Sequence, residues 1–266
     1  MNAYPVVKWA GGKRQLLSEL NRRLPGRFKN YYEPFFGGGA LFFALLPERA
    51  LINDFNSQLV NVYRQIKSSP DEVINYLMKF QDGYNALKND SEKTAFYFQK
   101  RDDFNGFILS ETFTVESASI FIFLNKAGYN GLYRVNRRGF FNVPSAHRKT
   151  LNICDPENIH AVSKLLQNCT IRQGDFEEAC SGAGNDDFIF FDSPYYETFD
   201  SYQTEGFSKS DHIRLFKLFK KLSATGAYCI LTNNDCDFIK NLPEDIEKLS
   251  SAIENCDGTA ENMAAT

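Results

Sequence analysis

A chain of 266 residues with 43% hydrophobic and 24% charged positions is long enough for one large domain, or for one domain carrying a substantial insertion. A formal net charge of -3 excludes a uniformly basic nucleic-acid binder, so any basic surface is local. Six cysteines, all in the second half, and three histidines form no metal-ligand spacing, which points to free structural thiols and no metal.

Residues 1 to 17 are interrupted by Lys8, Lys13 and Arg14 and hold no apolar run of signal-peptide length, and nowhere does the sequence approach a membrane span. A cytoplasmic protein with no membrane partner is the expectation. Gly11-Gly12 mark a turn, and Leu16, Leu17, Leu20 and Leu24 then repeat at helical spacing. Gly12-Lys13 invites comparison with a nucleotide-phosphate loop, but Val7 and Arg14 stand where that loop needs Gly and Ser or Thr. Trp9 reads as a core anchor or as part of a site beside the glycines.

From Asn30 the pattern is a short strand, a glycine turn at Gly37-Gly38-Gly39, and a helix starting near Ala40. Ala50 to Asp54 is a second strand ending in an acid. Such a carboxylate accepts from ribose hydroxyls in nucleotide-type folds, or caps the helix that begins near Asn56-Ser57. Together the two features favour an adenosine-containing cofactor without a long pyrophosphate. Residues 57 to 117 read as helices of mixed charge, with Pro70 between two of them, and show no chemistry.

Residues 117 to 154 contain no Asp or Glu. Lys126, Arg134, Arg137, Arg138, Arg148 and Lys149 interleave with Tyr129, Tyr133, Phe140 and Phe141, and Arg138-Gly139 reads as a hairpin turn. A solvated charged hairpin is one reading; contact with nucleic acid, through phosphates and base edges, is the other and is favoured.

A helix near Pro156 to Gln167 and a strand from Cys169 to Gln173 lead to Gly174-Asp175-Phe176. There Asp175 either caps a short helix or, with Phe176, meets a cofactor adenine. The apolar run Phe188 to Phe191 then ends abruptly in Asp192-Ser193-Pro194-Tyr195. Ligands in open α/β sheets sit outside the carboxyl ends of strands, so Asp192 emerges at a binding site or begins an ordinary turn. A flexible segment, a helix from Ser210 and a buried strand at Tyr228 to Thr232 follow. Residues 255 to 266 are small and polar and read as frayed.

Lys8-Trp9-Ala10-Gly11-Gly12-Lys13, Glu33-Pro34-Phe35-Phe36-Gly37-Gly38-Gly39, Asn53-Asp54, Asn130-Gly131-Leu132-Tyr133-Arg134 and Asp192-Ser193-Pro194-Tyr195 stand in a telling order. The order resembles that of the Dam-type (D12 class) DNA adenine-N6 methyltransferases, nearest the branch that accompanies GATC restriction systems. The resemblance implies an α/β, Rossmann-like core of seven strands that binds S-adenosyl-L-methionine and methylates a flipped adenine in double-stranded DNA, with a cognate restriction endonuclease acting separately. It also implies a core over 1–57 and 155–266, interrupted by a helical and hairpin target-recognition insertion over 58–154. Trp9, Lys13, Phe36, Gly37, Asp54, Asp175, Phe176 and Asp192 would border the cofactor. Tyr129, Asn130, Leu132, Arg134, Arg137 and Pro144 would touch DNA, and Asp192, Ser193, Pro194 and Tyr195 would perform the chemistry.

Three departures qualify the likeness. Ser193 stands where the family usually has proline; its backbone carbonyl survives the change, but the fixed φ of proline is lost. Ser145-Ala146-His147-Arg148 departs from the family pattern after Pro144, which bears on the DNA sequence read. The chain stops at Ala264-Ala265-Thr266 without the family's closing strand pair, so the sheet is expected to lack an edge strand. A non-catalytic DNA- or cofactor-binding descendant is the competing reading.

Overall fold

The structure is a computed structural model that describes residues 3–11, 16–196, 207–234, 236–240, 250–254 and 260–265. Its centre is a parallel array of β1 (Tyr31–Glu33), β2 (Ala50–Asp54), β3 (Cys169–Gln173), β4 (Phe188–Phe191) and β5 (Tyr228–Asn234), continued by β6 (Ser250–Glu254) and β7 (Ala260–Ala265). The seven strands lie in the order β3-β2-β1-β4-β5-β7-β6, with β7 antiparallel to both of its neighbours. The expected absence of an edge strand is therefore corrected: β6 and β7 close that side, with Ile230 opposite Ala265 in register. Sequence reading missed them because small and polar residues give no apolar alternation, while backbone pairing is indifferent to side chains.

Alternation along the central strands explains why they read as unbroken apolar runs. Tyr31, Phe188, Phe190 and Ile230 point into one core, whereas Tyr32, Ile189, Phe191, Cys229 and Leu231 point into the other. Successive strand residues face opposite sides, so a sheet covered on both faces needs apolar residues throughout. The first core is shared with α2 (Ala40–Leu45), α3 (Ser57–Ser68) and α7 (Pro156–Leu166); the second with α8 (Phe176–Ala179) and α9 (Lys209–Ala224).

The middle of the chain forms α4 (Pro70–Asn85), α5 (Asp90–Leu109) and α6 (Val115–Ala127). Pro70 occupies the first turn of α4, where its missing N–H costs nothing. α6 packs against α3, α4 and α5 at once, and its residues from Ser117 to Ala127 are buried apart from the half-exposed Lys126. A helix enclosed on all sides is apolar all round. The absence of acids from 117 to 127 is thus a consequence of burial, and only residues after 127 form an exposed basic stretch.

The chain crosses from β1 to its neighbour β2 and on to β3, then returns to lay β4 against the other side of β1. That reversal opens a crevice above the carboxyl ends of β1 and β4, the general ligand site of such sheets. Among the described residues no helix is long and apolar enough to cross a membrane, and Cys154, Cys169, Cys180, Cys229 and Cys236 are free thiols.

Candidate active site

The crevice is a cleft of about 1590 Å³ lined by residues from every motif of the sequence reading that the structure describes. Carboxylates stand at or just beyond the ends of four adjacent parallel strands: Glu33 on β1, Asp54 on β2, Asp175 after β3 and Asp192 after β4.

The turn after β1 is shaped by glycine. Gly37 and Gly39 have φ of 49° and 66°, in the left-handed region, and a Cβ on Gly37 would sit 2.6 Å from Trp9 Cδ1. Asp54 Oδ2 accepts from the Gly37 N–H at 2.8 Å, and Oδ1 accepts from Asn56 N–H at 2.9 Å. Asn56, rather than Asp54, caps α3, accepting from Gln58 and Leu59. Burial pushes the Asp54 carboxyl up, against the pull of these N–H groups. Each of its oxygens keeps a further acceptor position, which suits a vicinal diol. Phe55, 65% exposed, stands beside it as an apolar wall that sequence reading passed over.

Trp9 packs as a core anchor and also stands on the wall of the cleft. Its indole stacks on Tyr133 at 5.7 Å and on Phe121 at 6.3 Å, yet it also lines the cleft against Gly37 and Gly38. Phe36 is buried edge-on against Tyr63 at 4.7 Å, and Tyr63 donates to the Gly37 carbonyl at 3.0 Å. The helical region that seemed to carry no chemistry therefore supports the glycine turn. Buried Asn53 donates to the Pro34 and Gly174 carbonyls and so ties together the loops after β1 and β3. Lys13 lies outside the described residues.

Asp175 caps α8, accepting from Glu177 N–H at 2.9 Å, and both its oxygens receive Arg214 Nη2 at 2.9 Å. Arg214 also meets Glu177 and Asp211 and lies over the Phe176 ring at 4.9 Å. Phe176 is itself buried against Phe35 at 5.3 Å. Arg214 was absent from the sequence reading: it lies on α9, 39 positions from Asp175, and only the fold joins them.

Glu33, the first residue of the Glu33–Gly39 motif, is 2% exposed and accepts from Tyr31 Oη at 2.7 Å. Burial holds its carboxyl well above the usual range, and the nearby charges of Asp192 and Asp54 push the same way.

Asp192 leaves β4 half-buried, with Oδ1 accepting from Thr232 Oγ1 at 2.7 Å. Ser193 is buried and its hydroxyl has no hydrogen-bond partner among the described residues. Pro194 and Tyr195 line the cleft beside it.

The exposed basic stretch begins with the 3-10 turn Tyr129–Gly131. Tyr129 N–H donates to the Pro144 carbonyl at 3.0 Å, and Leu132 N–H donates back to Tyr129 at 3.2 Å, so Tyr129, Asn130, Leu132 and Pro144 share one neighbourhood. Tyr129, Asn130 and Pro144 are exposed there, while Leu132 is half-buried. Asn125, buried in α6, receives Lys8 N–H and donates to the Lys8 and Gly131 carbonyls, each at 2.8 Å. The expected hairpin is present: Val135 bridges Phe141, and Gly139 turns with φ of 77°. Arg137 is exposed at its tip, whereas Arg134 is half-buried and bonded to Asn142. Only Tyr129 of the interleaved aromatics faces outward: Phe141 is buried, Phe140 is half-buried, and Tyr133 is buried against Trp9, which pushes its phenol up to about 12.

A profile for the D12 class of N6 adenine-specific DNA methyltransferases matches residues 9–255. The chain is 40% identical to the Type II methyltransferase M.MjaIII of Methanocaldococcus jannaschii, across 97% of this chain and 95% of that protein. It is 38% identical to the Type II methyltransferase M1.LlaDCHI of Lactococcus lactis subsp. cremoris, across 96% and 90%. Against the DNA adenine methylase of Salmonella typhi the identity is 30%, across 86% and 80%.

Proposed function

The chain belongs to the D12 class of N6 adenine-specific DNA methyltransferases, and from that premise we propose that it moves a methyl group from S-adenosyl-L-methionine to adenine N6 within GATC in double-stranded DNA. The observation that carries the chemistry is the placement of Asp192 at the mouth of the β1–β4 crevice, hydrogen-bonded to Thr232 and within a cleft bordered by the glycine turn.

The cleft fits the proposed methyl donor. Asp54 offers acceptors to ribose hydroxyls, the Phe36-Gly37 turn borders the methionine part, and Asp175 and Phe176 line the wall assigned to adenine, where Phe35 and Arg214 cover the Phe176 ring. Trp9 borders the same space, and Lys13, which lies outside the described residues, keeps its expected cofactor-binding role in this reading. S-adenosyl-L-methionine supplies an electrophilic methyl group on a sulfonium.

The residues of this chain act on the adenine. Its amino nitrogen is a poor nucleophile because the lone pair is delocalised into the ring. The Asp192 carboxylate and the Ser193 backbone carbonyl each accept one N6 hydrogen. Bonding both draws the nitrogen toward tetrahedral geometry and frees the lone pair. Once the freed lone pair takes up the methyl group that the bound donor would supply, Asp192 would accept the proton that N6 gives up. The adenine must first leave the duplex, and Tyr195 with Pro194 receives its face. Placement supplies most of the gain.

Residues 58–154 serve in this proposal as the target-recognition part. Tyr129, Asn130, Leu132 and Pro144 form its reading surface, with Arg134 and Arg137 on the adjoining hairpin. GATC rests on the resemblance of the ordered motifs to the branch of the family that accompanies GATC restriction systems. A separately acting restriction endonuclease and work in the cytoplasm, where its DNA is, complete the proposal.

The test is transfer from labelled S-adenosyl-L-methionine to unmethylated duplexes with and without GATC, digested to nucleosides. Label in N6-methyladenine that depends on GATC is expected. Label without that dependence removes the GATC assignment and directs attention to Ser145 to Arg148. No label, with cofactor still bound, makes the non-catalytic reading the better one.

A further inference from the structure

Three consecutive residues at the end of β5 hold both ends of the Asp192–Tyr196 turn. β5 pairs in parallel with β4 as far as Phe191 opposite Leu231, which brings the next residue, Thr232, beside Asp192. Thr232 Oγ1 donates to Asp192 Oδ1 at 2.7 Å. Asn233 Oδ1 accepts from Tyr196 N–H at 3.2 Å, and Asn234 Nδ2 donates to the Tyr196 carbonyl at 2.8 Å. Thr232 and Asn233 are 0% and 1% exposed, so their polar atoms sit where a broken hydrogen bond is not replaced by water. Behind them the fully buried His212 places Nδ1 3.4 Å from Asn233 Nδ2.

The segment so held needs holding. Pro194 fixes its own φ, but Ser193 does not. Pro194 biases Ser193 toward an extended ψ, but no ring fixes the Ser193 φ, so the placement of its carbonyl, one of the two acceptors assigned to N6, depends on how the residues on either side are held. Its hydroxyl contributes nothing, being without a partner among the described residues.

We propose that Thr232, Asn233 and Asn234 are positioning residues for methyl transfer: by fixing residues 192 and 196 they set the spacing of the Asp192 carboxylate and Ser193 carbonyl that a proline at 193 would otherwise help to fix. The inference rests on the assignment of Asp192 and Ser193 as N6 acceptors. Two outcomes separate that assignment from the clamp itself. The clamp acts in the unliganded protein and is read without catalysis; the acceptor role is read only in turnover.

The experiment compares Thr232→Val, Thr232→Ser and Asn234→Ala in the full chain, each with and without Ser193→Pro, by kcat, KM for DNA and thermal midpoint. Displacing a reacting group slightly costs rate more than binding, so Thr232→Val should lower kcat about tenfold with KM within about twofold. Thr232→Ser, which keeps the hydroxyl, should restore most of the rate. The loss from Asn234→Ala should shrink to about threefold or less in the Ser193→Pro background, since coupled residues are non-additive. Equal losses in both backgrounds, or a Thr232→Ser variant as slow as Thr232→Val, would overturn the proposal. Amide exchange at Tyr196 supplies the catalysis-free reading: it should accelerate about tenfold or more in Asn233→Ala, as protection follows local opening. Unchanged exchange there removes the clamp even if Asp192 proves essential, and faster exchange in a chain that transfers no methyl keeps the clamp while removing the acceptor assignment.

Discussion

The indole of Trp9 stacks on the ring of Tyr133 at 5.7 Å while its edge lies against the Gly37–Gly38 backbone. One side chain thus joins the glycine turn of the sheet to the start of the hairpin that turns at Gly139. Trp9→Ala should remove both contacts, lowering stability by about 2 kcal/mol, below the range for a fully buried tryptophan because Trp9 is only half-buried. It should also weaken both cofactor and DNA binding. Titration calorimetry with each ligand checks this; a variant that loses only one affinity would deny the joining role.

Gly37 and Gly139 both have positive φ, but their surroundings differ. A Cβ on Gly37 meets Trp9 at 2.6 Å, whereas one on Gly139 meets nothing within 4 Å. Gly139→Ala should therefore cost only backbone strain, about 1 kcal/mol. Gly37→Ala should cost at least about 1 kcal/mol more and displace the indole, visible as a shift in tryptophan fluorescence, for Trp9 is the only tryptophan. Equal denaturation midpoints for the two variants would contradict the close approach.

Asp192→Asn retains the shape of the side chain but replaces one acceptor oxygen with a donor. Methyl transfer should fall by about 100-fold or more, with cofactor and DNA affinity within a few-fold of the unaltered chain. Rapid-quench single turnover separates the chemical step from binding, and an unchanged single-turnover rate would remove Asp192 from the mechanism.

Arg134 donates from Nε to Asn142 Oδ1 at 2.7 Å and from Nη2 to the Asn142 carbonyl at 3.2 Å, which fixes its orientation in the folded chain. Arg134→Ala should lower the ratio of kcat/KM for GATC over one-base variants by about tenfold, the scale of a lost base contact. Asn142→Ala should produce a weaker version of the same change. A discrimination ratio unaffected by Arg134→Ala would place base reading elsewhere on the Tyr129 to Pro144 surface.

His212 gives the protein a pH-dependent stability of definite sign. Burial lowers its pKa from 6.5 to about 4, against the opposite pull of Asp211, and the rings of Phe207, Tyr196 and Phe238 surround it. Above the unfolded value both states are neutral and nothing changes. Between that value and about 4 the unfolded chain binds a proton that the folded chain does not. Stability therefore falls as pH drops through this window, by up to about 3 kcal/mol. Urea midpoints at about pH 7.5 and about pH 5 should differ less for His212→Gln than for the unaltered chain. An identical difference would assign the acid sensitivity to other groups.

β1, β2, β4 and β5 were legible in the sequence because each is covered on both faces and so carries an apolar run ending in a turn or an acid, whereas the edge strand β3, buried only at Cys169, was legible from its place between a helix and the Gly174-Asp175 turn. Asp54, Asp192 and the glycine turn were legible for the same reason: they stand where strands end. β6 and β7 were not, since their pairing is made by backbone. The acid-free stretch was legible as a pattern but mixed two causes, the enclosure of α6 and the basic surface after it.

The sequence by itself determined the α/β class, the order of the central elements and the membership of one enzyme family, all of which follow from local periodicity and ordered motifs. Tertiary structure alone decided which polar groups meet: Arg214 with Asp175, Thr232 with Asp192, Asn125 with Lys8 and Gly131, and Trp9 with Tyr133. Those partners lie on different elements, often dozens of positions apart. Hydrogen bonds and ring contacts act over a few ångströms, and only strand order and helix packing bring such residues within that reach.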